Sequence, residues 1–183
     1  MLFTIGHSTL PIETFLDTLR VHGIERLVDV RTIPKSRHNP QFGREQLGAA
    51  LAEAGIEYRH EPGLGGLRHP RKDSTNLGWK NSSFRGYADY MQTPPFETKL
   101  GELVELGQTK RTAIMCAEAV PWRCHRSLIA DALLARGVEV RHIFNSSTAK
   151  PHAFTPFAQI ERQRVTYPGL GLEPGRADYD SNP

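Results

Sequence analysis

The sequence predicts an α/β domain of three layers, with a mainly parallel sheet of about five strands and helices on both faces. Short apolar runs typical of strands alternate with segments whose apolar residues recur at helical spacing. Strands that are joined through helices run parallel, and a parallel sheet is covered on both faces. At 183 residues, a single domain with a sizeable core is expected.

Each predicted strand is a short run rich in apolar and β-branched residues. These strands are 2–5, 26–31, 56–60, 111–116 and 139–144. Each predicted helix carries apolar side chains on one side, and glycine follows three of them, at 23, 55 and 137. The first of these helices is capped by Ser8 or Thr9, has Pro11 and Glu13 in its first turn and ends at His22. The others are 44–54, 84–92, 96–106 and 124–136.

Two segments are predicted to lack regular structure. Residues 61–82 are rich in Gly, Pro, Arg and Asn, and a loop of that length in a compact domain is usually functional or disordered. After Asn145 the pattern decays, and residues 167–183 contain three prolines and three glycines. We therefore expect one α/β domain over 1–160 and an extended or disordered tail over 161–183.

Composition narrows the class of protein. No apolar run approaches the roughly 20 residues that cross a bilayer, and the N-terminus lacks a signal-peptide pattern. Two cysteines do not make a disulfide framework in a chain of this size. We expect a cytoplasmic protein without a membrane partner. The net charge of +3 and the pI near 9.0 allow an anionic ligand without requiring one.

The segment 115–126, between the fourth strand and the fifth helix, is the most informative part of the chain. It contains both cysteines, Cys116 and Cys124, together with Glu118 and His125. The start of a helix offers free N–H groups and a positive dipole end, which attract anions. Thiols, a carboxylate and arginines at such a place indicate chemistry on an anion.

Polar side chains also follow the other strands. Ligands of parallel α/β sheets bind beyond the carboxyl ends of the strands, so residues that follow different strands should meet at one edge. Five of these residues are candidates for catalysis. They are His7, Asp29, Cys116, Glu118 and Cys124. Five cationic residues are candidates for anion binding. They are Arg31, Arg37, Arg123, His125 and Arg126.

The sequence is compatible with several roles for the two thiols. Cys116 and Cys124 can act as a nucleophile, as metal ligands or as a redox pair, or they can be buried structural cysteines. The spacing C-x7-C-H matches no common zinc motif, and six residues separate Cys116 from Arg123 where the phosphatase loop has five. We therefore assign no metal ligands and no cofactor from the sequence.

The leading functional prediction is an enzyme that acts on an anionic, phosphate-bearing substrate such as a nucleotide or nucleic acid. It would be a cysteine-dependent transferase or hydrolase with a pocket rich in Cys, His and Arg at the strand carboxyl ends. One alternative is a non-catalytic nucleic-acid-binding module, in which the basic loops would contact phosphates and aromatic side chains would stack on bases. The basic residues are Arg68, Arg71, Lys72 and Arg85, and the aromatic residues are Phe42, Trp79, Phe84 and Tyr87. The other alternative is a metal-binding or redox protein that uses the pair of cysteines. The oligomeric state is not indicated by any pattern in the chain.

A series of motifs, in order along the chain, resembles the family of domains of unknown function numbered 488. The motifs are Thr4-Ile-Gly-His-Ser8, Val28-Asp-Val-Arg31, Pro34-Lys-Ser-Arg37, Asn39-Pro-Gln-Phe42, Leu64-Gly-Gly66, Phe84-Arg-Gly-Tyr-Ala-Asp-Tyr-Met91 and the cysteine segment 116–126. The resemblance covers roughly residues 2–160 and is specific because the motifs occur in combination. It implies a bacterial-type cytoplasmic α/β domain and no established reaction. Leu67 stands where members often carry arginine.

Overall fold

The computed structural model describes residues 1–35 and 37–169, and its centre is a six-stranded, mostly parallel sheet. The described strands of this sheet are β1 Leu2–Gly6, β2 Arg26–Asp29, β3 Glu57–His60, β4 Thr112–Cys116, β5 Val140–Asn145 and β6 Thr148–Pro151. Their order is β3-β2-β4-β1-β5-β6, and only the edge pair β5–β6 is antiparallel. The predicted α/β class is confirmed, with β6 added to the five expected strands.

Five α-helices of the described chain cover the two faces of this sheet. They are α1 Ile12–Val21, α2 Arg44–Glu53, α3 Ser82–Tyr90, α4 Pro94–Thr109 and α5 Arg126–Ala135. Successive residues of β4 point to opposite faces, so Met115 packs in the apolar cluster with α1 and α2 while Ile114 and Cys116 pack in the cluster with α3, α4 and α5. The sulfur of Cys116 therefore lies on the α5 side of the sheet.

The helix boundaries differ from prediction at several ends. α1 begins at Ile12 with Pro11 at its N-cap position, so the prediction that Ser8 or Thr9 caps this helix is wrong. α5 begins at Arg126 rather than at 124, because residues Pro121–Arg123 form a 3-10 turn and Cys124 is extended. α3 begins at Ser82, since the side chain of Asn81 accepts hydrogen bonds from the next turn. Among the described helices, none combines the length and apolar character needed to cross a membrane.

The packed part of the chain continues beyond residue 160. A hairpin of β7 Gln159–Glu161 and β8 Arg164–Thr166 follows the sheet, and both Val165 and Tyr167 are buried. The Tyr167 hydroxyl donates to Asp131 of α5 at 2.8 Å. The first part of the predicted tail is therefore built into the α5 face, and residues 170–183 lie outside the described part of the chain.

Candidate functional site

An open cavity of about 610 Å³ lies beyond the carboxyl ends of β1, β2 and β4. Seven of the ten predicted site residues line it. They are His7, Arg31, Cys116, Glu118, Arg123, Cys124 and His125. The other three, Asp29, Arg37 and Arg126, do not line it. The expectation that different strand ends meet at one edge of the sheet therefore agrees with the geometry for most of these residues.

Asp29 and Arg31 form a buried ion pair beneath the cavity. The carboxylate of Asp29 accepts from the Arg31 backbone N–H, from Nε at 2.8 Å and from Nη2 at 2.6 Å, and the Tyr58 hydroxyl donates to it at 2.8 Å. Burial opposes the charge of Arg31, but the hydrogen bonds and charge of Asp29 outweigh it and raise the pKa of Arg31. Asp29 therefore holds Arg31 in place and does not itself reach a ligand.

Most N–H groups of Arg31 are already used. Besides Asp29, its Nη2 donates to the Phe42 carbonyl oxygen at 2.8 Å and its Nη1 lies 3.3 Å from Nε2 of His7. A guanidinium has five N–H groups, so one remains for a bound molecule. Arg31 is thus mainly a structural cation with a single donor available at the cavity wall.

His7 is a neutral imidazole in this arrangement. Its Nδ1 lies 2.8 Å from the Ser8 carbonyl oxygen, so this nitrogen carries the hydrogen and Nε2 accepts from Arg31. The ring stacks on Phe42 with 4.1 Å between centroids. Burial lowers the pKa of His7 to about 4, because the charged form would lose its hydration.

The floor of the cavity contains Cys116, Cys124 and His125, which we call the thiol–imidazole floor. The Sγ atoms and a ring nitrogen lie within 4.8 Å of one another, and Cys124 Sγ is 3.7 Å from His125 Nδ1. Both cysteines are free thiols and both are buried. His125 Nε2 lies 3.2 Å from the Val30 carbonyl oxygen and donates to it, which leaves Nδ1 with a lone pair on the side of the sulfurs.

The two thiols differ in acidity. The hydrogen bond from Cys116, aided by the nearby charge and backbone N–H of Arg126, lowers the pKa of Cys124 to about 7 against the opposing effect of burial. The same hydrogen bond, together with burial, raises the pKa of Cys116 far above its usual value. The start of α5 thus favours a thiolate at Cys124.

Two glycines allow the chain to approach the site closely. A Cβ on Gly66 would lie 2.5 Å from His125 Nδ1 and 2.8 Å from its Cγ, so the loop after β3 can rest on the imidazole only without a side chain. A Cβ on Gly6 would lie 1.8 Å from the Glu118 carbonyl oxygen. The Gly-Gly pair, which the sequence leaves ambiguous, therefore provides a close approach at its second glycine.

Arg126 is buried and shapes the loop after β4. Its Nη1 donates to the Glu118 carbonyl oxygen at 2.5 Å and its Nη2 to that of Ala119 at 2.9 Å. Its Nε has no partner within the described residues. Arg126 therefore contributes a fixed positive charge near Cys124 and holds the loop, rather than reaching into the cavity.

The rim of the cavity carries exposed charges. Arg123 and Lys35 line it, and neither side chain has a hydrogen-bond or ion-pair partner among the residues that the structure describes. The exposed carboxylate of Glu118 lies on the same rim. Lys35 was not among the predicted site residues, although it lies two residues before the predicted Arg37, which is exposed outside the cavity.

Other basic and aromatic side chains near the cavity are engaged within the fold. Arg68 donates to the Gly63 and Gly65 carbonyl oxygens and lies over the ring of Tyr90, and Arg85 donates to the Trp79 carbonyl oxygen. Of the aromatic residues expected for stacking, Phe42 and Tyr87 are fully buried, and Phe84 lines the cavity while stacking on Trp79. This region therefore offers a compact pocket rather than a broad basic face.

The fold and the site together define a parallel α/β domain with a pocket of thiols, imidazoles and cations at the carboxyl edge of its sheet. Residues 11–133 match the model of the family described as Domain of unknown function DUF488. The chain belongs to this family, as its ordered motifs predicted. No curated protein and no solved structure matches it.

Proposed function

We propose that the protein is an enzyme that acts on a small anionic, phosphate-bearing substrate, such as a nucleotide, in the cavity at the strand ends. The observation that carries this proposal is the pairing of two cations at the rim, Arg123 and Lys35, which lack partners among the described residues, with the thiol–imidazole floor. A volume of about 610 Å³ falls within the usual range for small-molecule sites. The rim would bind the anion while the floor supplies the reacting groups.

The place of each residue in the cavity indicates its proposed role. Arg123 and Lys35 bind phosphate oxygens, and the remaining N–H of Arg31 offers a third donor deeper in the wall. Glu118 is the only carboxylate among the described residues that line the cavity, and it is the group that exchanges protons with the substrate. Its negative charge also disfavours an anion at its own side of the rim, so the phosphate would lie toward Arg123 and Lys35.

The contacts of the basic residues favour this pocket over a nucleic-acid-binding module. Arg68 and Arg85 direct their donors to backbone carbonyls, and Arg71 pairs with Asp73. A polymer interface neutralises several phosphates and loses affinity steeply with salt, with a slope near −0.9 per phosphate contact. Since most of these cations are engaged within the fold, a shallow slope is expected, and nucleotides should compete with polymers.

The test compares Arg123→Ala with Arg37→Ala, since both residues are exposed arginines and only Arg123 lines the cavity. Binding of inorganic phosphate and of nucleoside monophosphates is measured by calorimetry. Arg123→Ala should raise Kd about tenfold, which corresponds to roughly 1.4 kcal/mol. Arg37→Ala should leave Kd unchanged. Equal effects of the two variants would contradict the proposal.

A second arm tests whether the pocket is catalytic. Phosphorylated small molecules are incubated with the protein, and their conversion is followed by phosphorus NMR, which detects a change in the surroundings of the phosphorus atom whichever bond reacts. Cys124→Ser should abolish conversion and leave phosphate affinity unchanged, because Cys124 lies at the floor and not at the rim. Anion binding without conversion of any phosphorylated compound would favour a binding module instead.

A further inference from the structure

We propose that Cys116, Cys124 and His125 form a binding site for a zinc-type divalent metal ion at the floor of the cavity. They supply two sulfur atoms and one imidazole nitrogen within 4.8 Å of one another. Two thiolates and one histidine are a ligand set that zinc uses in catalytic centres, where three protein ligands leave one position open. The family match assigns no ion to these residues.

The spacing of the ligand atoms fits tetrahedral coordination. With Zn–S bonds near 2.3 Å and Zn–N bonds near 2.0–2.1 Å, a tetrahedral ion holds sulfur and nitrogen about 3.6 Å apart and two sulfurs about 3.8 Å apart. Cys124 Sγ and His125 Nδ1 are 3.7 Å apart. Because no pair exceeds 4.8 Å, a shift of about 1 Å at most brings the third ligand into place.

The imidazole of His125 is oriented as a metal-binding histidine requires. Its Nε2–H donates to the Val30 carbonyl oxygen at 3.2 Å, so Nδ1 presents its lone pair to the sulfurs. Metal-binding histidines generally donate their other N–H to a carbonyl or carboxylate, which fixes the ring. A Cβ on Gly66 would lie 2.5 Å from Nδ1 and 2.8 and 3.0 Å from the two ring carbons bonded to it, Cγ and Cε1. A point in the ring plane at the same distance from Nδ1 would lie farther from both carbons, so the loop packs on the ring face rather than in the ring plane.

All three ligands line the cavity, so a fourth ligand of the ion would enter from the cavity. Any proton still on the two thiols passes to solvent when the ion binds, and the two resulting thiolates balance the charge of a divalent ion, so the metal-bound floor is neutral. A water molecule or a substrate oxygen can occupy the open position, where the ion acts as a Lewis acid. This catalytic role rests on the proposed function, whereas the binding of the ion does not.

The experiment measures metal binding by the full-length reduced protein. Metal-free protein is titrated with Zn²⁺ against a chromophoric chelator and, separately, with Co²⁺, whose thiolate-to-metal charge-transfer absorption reports sulfur ligation. One equivalent of Zn²⁺ should bind, with Cys116→Ser, Cys124→Ser and His125→Ala each lowering affinity at least tenfold. His38→Ala, at an exposed histidine outside the cavity, should not change it.

A second measurement does not depend on the variants. Bound Zn²⁺ should protect both thiols of the native protein from a thiol reagent, and chelation should restore their reactivity. Absence of stoichiometric Zn²⁺ and Co²⁺ binding, or a cobalt spectrum without charge-transfer absorption, would overturn the metal site. If phosphate binding still depended on Arg123, the proposed function would stand without the ion. If Zn²⁺ bound but phosphate did not, the proposed function would fail and the metal site would stand.

Discussion

Replacement of Asp29 by alanine should destabilise the protein more than any surface charge change. Asp29 is fully buried, and Arg31, its partner, is 6% exposed. The variant removes both carboxylate oxygens, so the Arg31 Nε and the Tyr58 hydroxyl lose their acceptors and a guanidinium is left unpaired in the interior. Breaking a buried pair by removing one partner costs about 3–5 kcal/mol.

The magnitude can be measured by urea unfolding. With a slope of about 2 kcal/mol per molar urea, Asp29→Ala should lower the midpoint by roughly 2 M. Tyr58→Phe, which removes only one hydrogen bond to Asp29, should cost about 1 kcal/mol. Asp73→Ala is the matched control, because Asp73 forms a comparable two-point pair with Arg71 on the exposed surface. That variant should leave the midpoint unchanged.

The double variant Asp29→Ala with Arg31→Met separates pairing from packing. If the cost arises from an unpaired buried guanidinium, removing that guanidinium should recover part of the loss, and the two single effects should not add. Equal midpoints for Asp29→Ala and Asp73→Ala, or additive effects in the double variant, would refute this reasoning.

Three further predictions concern stability and the site. Burial lowers the pKa of His142 to about 3 from its usual 6.5. The contribution of the neutral imidazole to the free energy of unfolding is therefore fully present above pH 6.5 and falls by up to ~1.4 kcal/mol per pH unit toward pH 3. The loss of unfolding free energy between pH 7 and pH 5, measured with urea, should be smaller for His142→Asn than for the unmodified protein. Truncation after residue 160 should lower stability by at least ~3 kcal/mol, because it removes the buried ring of Tyr167, and an unchanged thermal midpoint would contradict this. Gly66→Ala should displace the imidazole of the floor and weaken Zn²⁺ binding. Gly101→Ala is the control, because a Cβ at this position of α4 meets open space and should stabilise the chain by up to ~1 kcal/mol. Equal Zn²⁺ affinity in both variants would argue against the close approach of Gly66 to His125.

The sequence predicts the parallel core well because that core depends on local apolar pattern. Each strand from β1 to β5 is largely buried or half-buried, and each adjoins a helix whose apolar residues repeat at helical spacing. The strands that were missed, β6 to β8, are short and mostly polar or exposed. These strands form only because they pair with an edge strand or with each other. Such pairing cannot be predicted from the local sequence pattern.

The approximate location of the candidate site also follows from the sequence, but its internal contacts do not. Parallel strand ends share an edge, which is why His7, Arg31 and Cys116 could be expected together. The grouping of both thiols around the His125 imidazole was not indicated by the spacing of the cysteines, because the group that orients the ring comes from the strand-end loop at Val30. Such a contact depends on the three-dimensional path of two loops.

Residue type alone overestimates how many arginines are available to bind an anion. Four were expected to hold the substrate, yet Arg31 and Arg126 are buried and donate to a carboxylate or to backbone carbonyls, and Arg37 lies outside the cavity. Of these four, only Arg123 combines exposure, an open cavity and no partner among the described residues. Substitution of Arg126 should therefore disrupt the loop after β4 and lower stability, because two carbonyl oxygens lose a buried donor. Substitution of Arg123 should weaken substrate binding in a fully folded protein. Unfolding and binding should both be measured on these two variants. The results would separate Arg126, which holds the pocket in shape, from Arg123, which is proposed to bind the ligand.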